Sequence, residues 1–268
     1  MKELSDRARS IRKKIIKVGY NSNQSAHYGG ALSIVEIMTS LYFNIMDHDH
    51  SDPKKLCRDR FILSKGHGVL AYIATLYEAK YLNKEQAYTF QTNGSKFIAH
   101  PIKNLDFGIE TSSGSLGQGF PFAVGIAEAL RRKKIKNRVY VLCGDGECNE
   151  GSIWEAAMLA KSRKLKNLTV IIDKNNYQND GSTIDVSGSL NLLDIFKAFG
   201  FETYEIDGHD IETISKTLLR DETDLPKAII CNTTKGKGFK LMENNNDWHH
   251  NKITKSMLDS GEFDLNEY

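Results

Sequence analysis

Residues 138–177, RVYVLCGDGECNEGSIWEAAMLAKSRKLKNLTVIIDKNNY, decide the fold. RVYVLC (138–143) and LTVIID (168–173) are short apolar runs of strand length. Between them lie a glycine-rich loop and a helix-length segment, where the Ser152–Glu155 spacing predicts a capping box. Strand, loop, helix and strand make a βαβ unit. The pattern continues downstream: LNLLDIFKAF (190–199) reads as a helix, FETYEI (201–206) as a strand, IETISKTLLR (211–220) as a helix and PKAIICNT (226–233) as a strand. Upstream, RFILS (60–64) reads as a strand and VLAYIATLYEAKYL (69–82) as a helix with a buried face. Residues 3–18 form a basic amphipathic helix, with Ile11, Ile15, Ile16 and Val18 near one stripe and the charges from Arg7 to Lys17 on a solvated face. Ser33 and Glu36 predict a second capping box. The alternation implies an α/β fold with a central parallel sheet covered by helices on both faces. No repeat, low-complexity tract or Pro/Ser-rich linker interrupts it, so one domain over 1–268 is expected, with 1–20 and 251–268 peripheral.

Composition narrows the partners. The chain has 268 residues, with 36 Lys plus Arg against 34 Asp plus Glu, so its net charge is only 36 − 34 = +2. That balance argues against a nucleic-acid-binding surface. An apolar content of 40% is enough for a substantial core. No apolar run reaches the length of a membrane span, and the N-terminus has no apolar leader, so a cytoplasmic protein without membrane contact is expected. Cys57, Cys143, Cys148 and Cys231 have neither disulfide nor zinc spacing and read as free thiols.

In parallel α/β sheets, ligands collect beyond the carboxyl ends of the strands. Gly144-Asp145-Gly146 follows the first strand of the unit directly, and Asn175-Asn176 follows the second. Adjacent strands can thus bring a carboxylate and a carboxamide to one point. With a backbone carbonyl, such oxygens suit octahedral Mg²⁺ or the larger Ca²⁺. The flanking glycines let the backbone approach a bulky anion, and the N–H groups of the loop and helix start can face phosphate oxygens. A diphosphate held through a divalent cation is the ligand this chemistry fits.

With these residues in place, the sequence resembles the transketolase family, in which GDG…NN is the thiamine diphosphate motif. SAHYGG (25–30), DRFILSKGHG (59–68), AHP (99–101), TSSGSLGQG (111–119) and TKGKGFKLMENNNDWHH (234–250) carry the likeness in the family's order, across about residues 20–250. The resemblance implies the N-terminal subunit of a split transketolase. Such a protein would work with a C-terminal subunit carrying the pyrimidine-binding domain, in an α₂β₂ assembly. The pair would move a two-carbon ketol unit from a ketose to an aldose, on sugars or sugar phosphates.

By the same resemblance, Asp145, Asn175 and the Tyr177 carbonyl would hold the metal. Gly144 and Gly146 would meet the diphosphate, Gly114 and Leu116 the aminopyrimidine ring, and Glu150 the subunit interface that links two cofactor sites. Lys65 and Lys235 would line the cofactor and substrate region. His67 and His249 would bond the diphosphate side and the reacting oxygens, His27 and His249 would assist deprotonation of the donor hydroxyl, and His100 would hold a terminal hydroxyl. His48, His50, His209 and His250 carry no such role and read as surface or loop residues, with a supporting place behind the site open to His209.

The glutamate that activates the cofactor lies in the family's pyrimidine domain. Here only Glu262 and Glu267 follow residue 250, so the isolated chain is expected to hold half the cofactor and to be silent. The sequence departs from the family at Ala26 and Tyr28, at Ser115 and at Cys148-Asn149, which points toward a specialised sugar. Tyr28 either reshapes the substrate funnel or fits a loop freed of a proline. The alternatives are the α subunit of a 2-oxo acid dehydrogenase, or a scaffold subunit that retains the fold.

Overall fold

The protein is described here from a computed structural model covering residues 1–188, 190–220 and 223–263. Five parallel strands, β1 (Arg60–Leu63), β2 (Val139–Gly144), β3 (Leu168–Lys174), β4 (Glu202–Asp207) and β5 (Lys227–Asn232), form one sheet in the order β1-β2-β3-β5-β4. Side chains alternate along each strand, so β1, β2, β3 and β5 each feed two cores. Phe61, Leu63, Tyr140, Leu142, Ile171, Ile229 and Cys231 face one. Ile62, Val139, Val141, Cys143, Val170, Ile172, Ala228 and Ile230 face the other. That two-sided burial explains why the central strands read as unbroken apolar runs.

Helices cover both faces. On the first lie α1 (Lys2–Asn21), α2 (Gly29–Leu32), α3 (Val35–Ser40), α4 (Val69–Glu78) and the short α5 (Lys84–Ala87). On the second lie α6 (Gly119–Arg132) and α7 (Gly151–Ser162). The short α8 (Thr183–Ser187) follows β3, and α9 (Leu192–Ala198) joins the second face. The chain then adds α10 (Ile211–Leu219) on the first face and closes with α11 (Lys255–Asp259).

Four expectations need correction. α1 is not peripheral: Ile11, Ile15 and Val18 are fully buried, and α1 packs on α3 and α4. Arg12 is not on a solvated face but pairs in the interior with Glu36. Residues beyond 250 also join the core, since Ile253 is buried and the Phe263 ring meets Phe239 and Trp248. Neither capping box forms. Ser33 instead donates to Asp173 at 2.7 Å, and Ser152 donates to the carbonyl of Gly117 at 2.8 Å, each hydroxyl serving tertiary structure.

Candidate active site

The register puts Gly144, the last residue of β2, opposite Asp173, the penultimate residue of β3, so the two strands end within one residue of each other. Asp145 follows one residue later, and its N–H donates to the Asp173 carbonyl at 3.1 Å. The Asp145 carboxylate is buried and accepts from the Asn176 N–H (2.9 Å) and the Thr183 hydroxyl (3.1 Å). No Lys or Arg is paired with it among the described residues. Burial first, and Asp173 second, push its pKa up to about 6. Asn175 is likewise buried. Its amide donates to Asp173 at 2.8 Å and its oxygen accepts the Tyr177 N–H at 3.1 Å, leaving that oxygen one lone pair.

A desolvated carboxylate without a cation, beside a carboxamide oxygen with spare capacity, is a donor set that fits a hard divalent ion. Among the described residues, no three His, Cys, Asp or Glu side chains gather around a metal position. The fit therefore rests on Asp, Asn and backbone oxygen together.

Lys65 is part of the floor beneath Gly30. Its ammonium is fully buried, pairs with Asp173 and donates to the Gly30 carbonyl at 2.9 Å. Burial alone would raise the Asp173 pKa, but Lys65, Thr233 and Ser33 outweigh it and hold it below the ordinary value. Asp173 reads in the sequence only as the last residue of a strand, and it is the hub of the floor. Glu147 likewise carries no signal of its own in the sequence. Buried in the GDG loop, it accepts from Ser64 (2.5 Å), Gly117 (2.9 Å) and Gly144 (3.1 Å), tying that loop to the TSSGSLGQG loop.

Above the floor the histidines converge. The His27 ring centroid lies 5.7 Å from His67, 5.7 Å from His100 and 5.5 Å from His249, and His67 stacks on His249 at 5.6 Å. Gly30 permits this, because a Cβ there would sit 3.0 Å from the His67 ring. Gly114, at φ +156°, lies against His100.

Burial lowers all four imidazoles. His250, His249 and His100 add to it for His27 (about 3), and Lys235 and Lys65 add to it for His249 (about 4). Lys65 adds to it for His67, which falls well below the ordinary value, and His250 adds to it for His100. All four rings are therefore neutral at pH 7. Lys235, lowered to about 8 by burial and then by Lys65, bonds Asn246 (2.7 Å), the Gln178 carbonyl (3.1 Å) and Nδ1 of His249 (2.9 Å). An ammonium can only donate, so Nδ1 accepts and Nε2 of His249 carries the hydrogen.

The remaining candidates fall around this centre. Gly146 and half-buried Tyr177 sit on the β2 and β3 loops, with the Tyr177 ring 5.3 Å from the Lys235 ammonium. Leu116 is half-buried in its loop. Glu150 is exposed at the start of α7. Glu262 is exposed, and Glu267 lies outside the described residues.

Tyr28 does not shape a funnel. Its side chain is fully buried against Trp248 and the bare backbone of Gly19, so it fits the loop to the core. His209 is no surface residue: it donates from Nδ1 to Glu36 (3.0 Å) and accepts the Thr234 N–H at Nε2 (2.8 Å). His48 is half-buried, its Nε2 lying 2.7 Å from the Tyr42 carbonyl. His250 is exposed as expected, yet its ring lies 4.6 Å from that of His27.

Parallel strand tips carrying an Asp and an Asn beneath a ring of neutral imidazoles define a diphosphate-cofactor domain of the α/β class. The chain belongs to the transketolase family: the family's thiamine diphosphate binding domain matches residues 8–260. It is 42% identical over 254 residues to one subunit of the apulose-4-phosphate transketolase of Actinobacillus succinogenes, covering 94% of this chain and 92% of that one. It is 39% identical over 233 residues to the 6-deoxy-6-sulfo-D-fructose transketolase subunit SqwG of a Clostridium species, covering 86% and 85%. The crystal structure of Campylobacter jejuni transketolase superposes with a TM-score of 0.89 at 31% identity, covering 99% of this chain but 44% of the solved one. These relatives favour neither the 2-oxo acid dehydrogenase reading nor the scaffold reading. Among the described residues, no helix is long and apolar enough to cross a membrane.

Proposed function

We propose that this chain is the diphosphate-binding subunit of a two-component transketolase. It would transfer a two-carbon ketol unit from a ketose to an aldose once joined to a partner subunit carrying the pyrimidine-binding domain. The observation that carries the reading is the placement of Asp145 and Asn175 at neighbouring strand tips under four clustered imidazoles. Asp145, Asn175 and the Tyr177 carbonyl hold Mg²⁺, and Gly144 and Gly146 face the diphosphate. Gly114 and Leu116 meet the aminopyrimidine ring. Thiamine diphosphate, when bound, supplies the electron sink for carbon–carbon cleavage.

The chain's own residues bind, orient and move protons. His67 and His249 bond the diphosphate side, and the Nε2 hydrogen of His249 donates to a reacting oxygen. His27 takes and returns the proton of the donor hydroxyl, and His100 holds a terminal hydroxyl. Lys235 holds Nδ1 of His249 at 2.9 Å and so fixes which ring nitrogen carries the hydrogen. Exposed Glu150 serves a contact between copies in a cytoplasmic α₂β₂ assembly, and the described fold acts as one diphosphate-binding unit. The relatives' names support a specialised sugar as the substrate.

The test is to assemble the chain with its partner, add thiamine diphosphate and Mg²⁺, and assay a panel of ketoses and aldoses. Two-carbon transfer that needs both subunits is the expected result. Efficient transfer by this chain alone, or decarboxylation of a 2-oxo acid by the pair, overturns the proposal.

A further inference from the structure

The chain returns to the pocket through one small structural device. Ala26 N–H donates to the Asn251 carbonyl at 2.8 Å, and Asn251 N–H donates to the Ala26 carbonyl at 3.1 Å. This isolated antiparallel bridge places the next residue on one strand, His27, directly opposite the preceding residue on the other, His250. Side chains opposite one another in antiparallel pairing share a face. Accordingly the two rings lie 4.6 Å apart at 50°, nearer than any other ring is to His27. The two differ in burial: His27 is half-buried, whereas His250 is exposed. His250 also acts electrostatically on His27, His100 and His249.

We infer that His250 is a specificity-determining residue that hydrogen-bonds the outer hydroxyl-bearing carbons of the sugar. The inference rests on the ketol-transfer reading above. On that reading the bonds that change lie among the four inner imidazoles. A short aldehyde would engage only the inner rings, while a longer polyhydroxylated chain would extend toward solvent past exposed His250. An imidazole offers one donor and one acceptor, the pair that matches a sugar hydroxyl. No charge on the sugar is required.

The experiment compares His250→Ala with the unsubstituted chain, each assembled with the partner subunit, on aldehydes of two, three and four carbons. His250 is exposed and held by backbone bonds, so the substitution leaves the fold intact. For glycolaldehyde, kcat/KM stays within about twofold. For the four-carbon aldose it falls about tenfold, through KM, as expected for one lost hydrogen bond. His250→Asn restores part of the loss. An equal loss on all three aldehydes shows instead that His250 works through His27 on the chemistry, and overturns the inference. No loss on any of them overturns it too.

Calorimetric titration of the same aldoses into both assemblies repeats the comparison without turnover. Should the unsubstituted assembly transfer nothing, the functional reading fails. The contact then stands only if four-carbon binding still weakens about tenfold in His250→Ala, and falls if binding is unchanged.

Discussion

Two carboxylates at the tips of neighbouring strands have opposite fates. Asp173, on β3, is met by Lys65, Ser33, Asn175 and Thr233, and its pKa is lowered. Asp145, at the tip of β2, is almost as buried but receives only neutral donors, and its pKa rises to about 6. The first is internally complete and belongs to the scaffold. The second is left with an electrostatic debt of the kind a divalent cation would settle. Burial of a charge thus identifies a binding group only when the pairing within the chain is missing.

The sharpest way to break this contrast is to neutralise each carboxylate in turn. Asp173→Asn strands the Lys65 ammonium in the core and lowers stability by about 3–5 kcal/mol, read by urea unfolding. Asp145→Asn has the opposite sign. Removing a carboxylate whose pKa has moved from 3.8 to about 6 raises cofactor-free stability by about 3 kcal/mol, and abolishes saturable Mg²⁺–thiamine diphosphate uptake by the assembled protein. Equal destabilisation by both substitutions would erase the distinction.

The same raised pKa sets a pH dependence. Cation binding requires the ionised form, so uptake weakens about tenfold per pH unit as pH falls below about 6. Titration calorimetry of the assembled protein between pH 5 and 8 gives the check.

The imidazoles lead to a further effect in acid. His27 and His249 have folded values of about 3 and 4 against 6.5 unfolded, so below pH 6.5 the unfolded chain binds protons that the folded chain refuses. Their contribution to stability is full above 6.5 and is lost as pH falls, through about 4 for His249 and 3 for His27. Asp145 acts the other way between 6 and 3.8, since its folded form takes the proton first. His27→Gln combined with His249→Gln therefore flattens the acid limb of a denaturation series, and Asp145→Asn steepens it.

The smallest effect concerns a polar group with no ligand waiting. The Tyr28 hydroxyl is buried without a hydrogen-bond partner among the described residues. Tyr28→Phe changes stability by no more than about 1 kcal/mol, toward greater stability, and leaves cofactor affinity unchanged. A loss of affinity would place Tyr28 in the site after all.

Local pattern made much of this legible. The βαβ unit, the strands and the Gly144–Gly146 and Asn175 positions could be read because apolar runs and glycines report directly on burial and backbone approach. What escaped depends on distant neighbours. Ser33 and Ser152 have the spacing of helix caps, yet their hydroxyls answer Asp173 and Gly117, 140 and 35 residues away. Lys65 sits in a cofactor motif but is consumed by Asp173, and His209 links β4 to Glu36 on α3 and to Thr234. No one-dimensional signal marks His250, whose position is set by pairing with Ala26.

That pairing also bears on how the molecule is made. Ala26 and Asn251 stand 225 positions apart in the chain, so their bridge is a contact of very high sequence separation. On a ribosome the sheet can form while the imidazole at position 27 still lacks its neighbours at 249 and 250. The complete histidine cluster is thus among the last things synthesis confers, and a nascent chain arrested before residue 249 has all five strands but lacks two of the five clustered histidines.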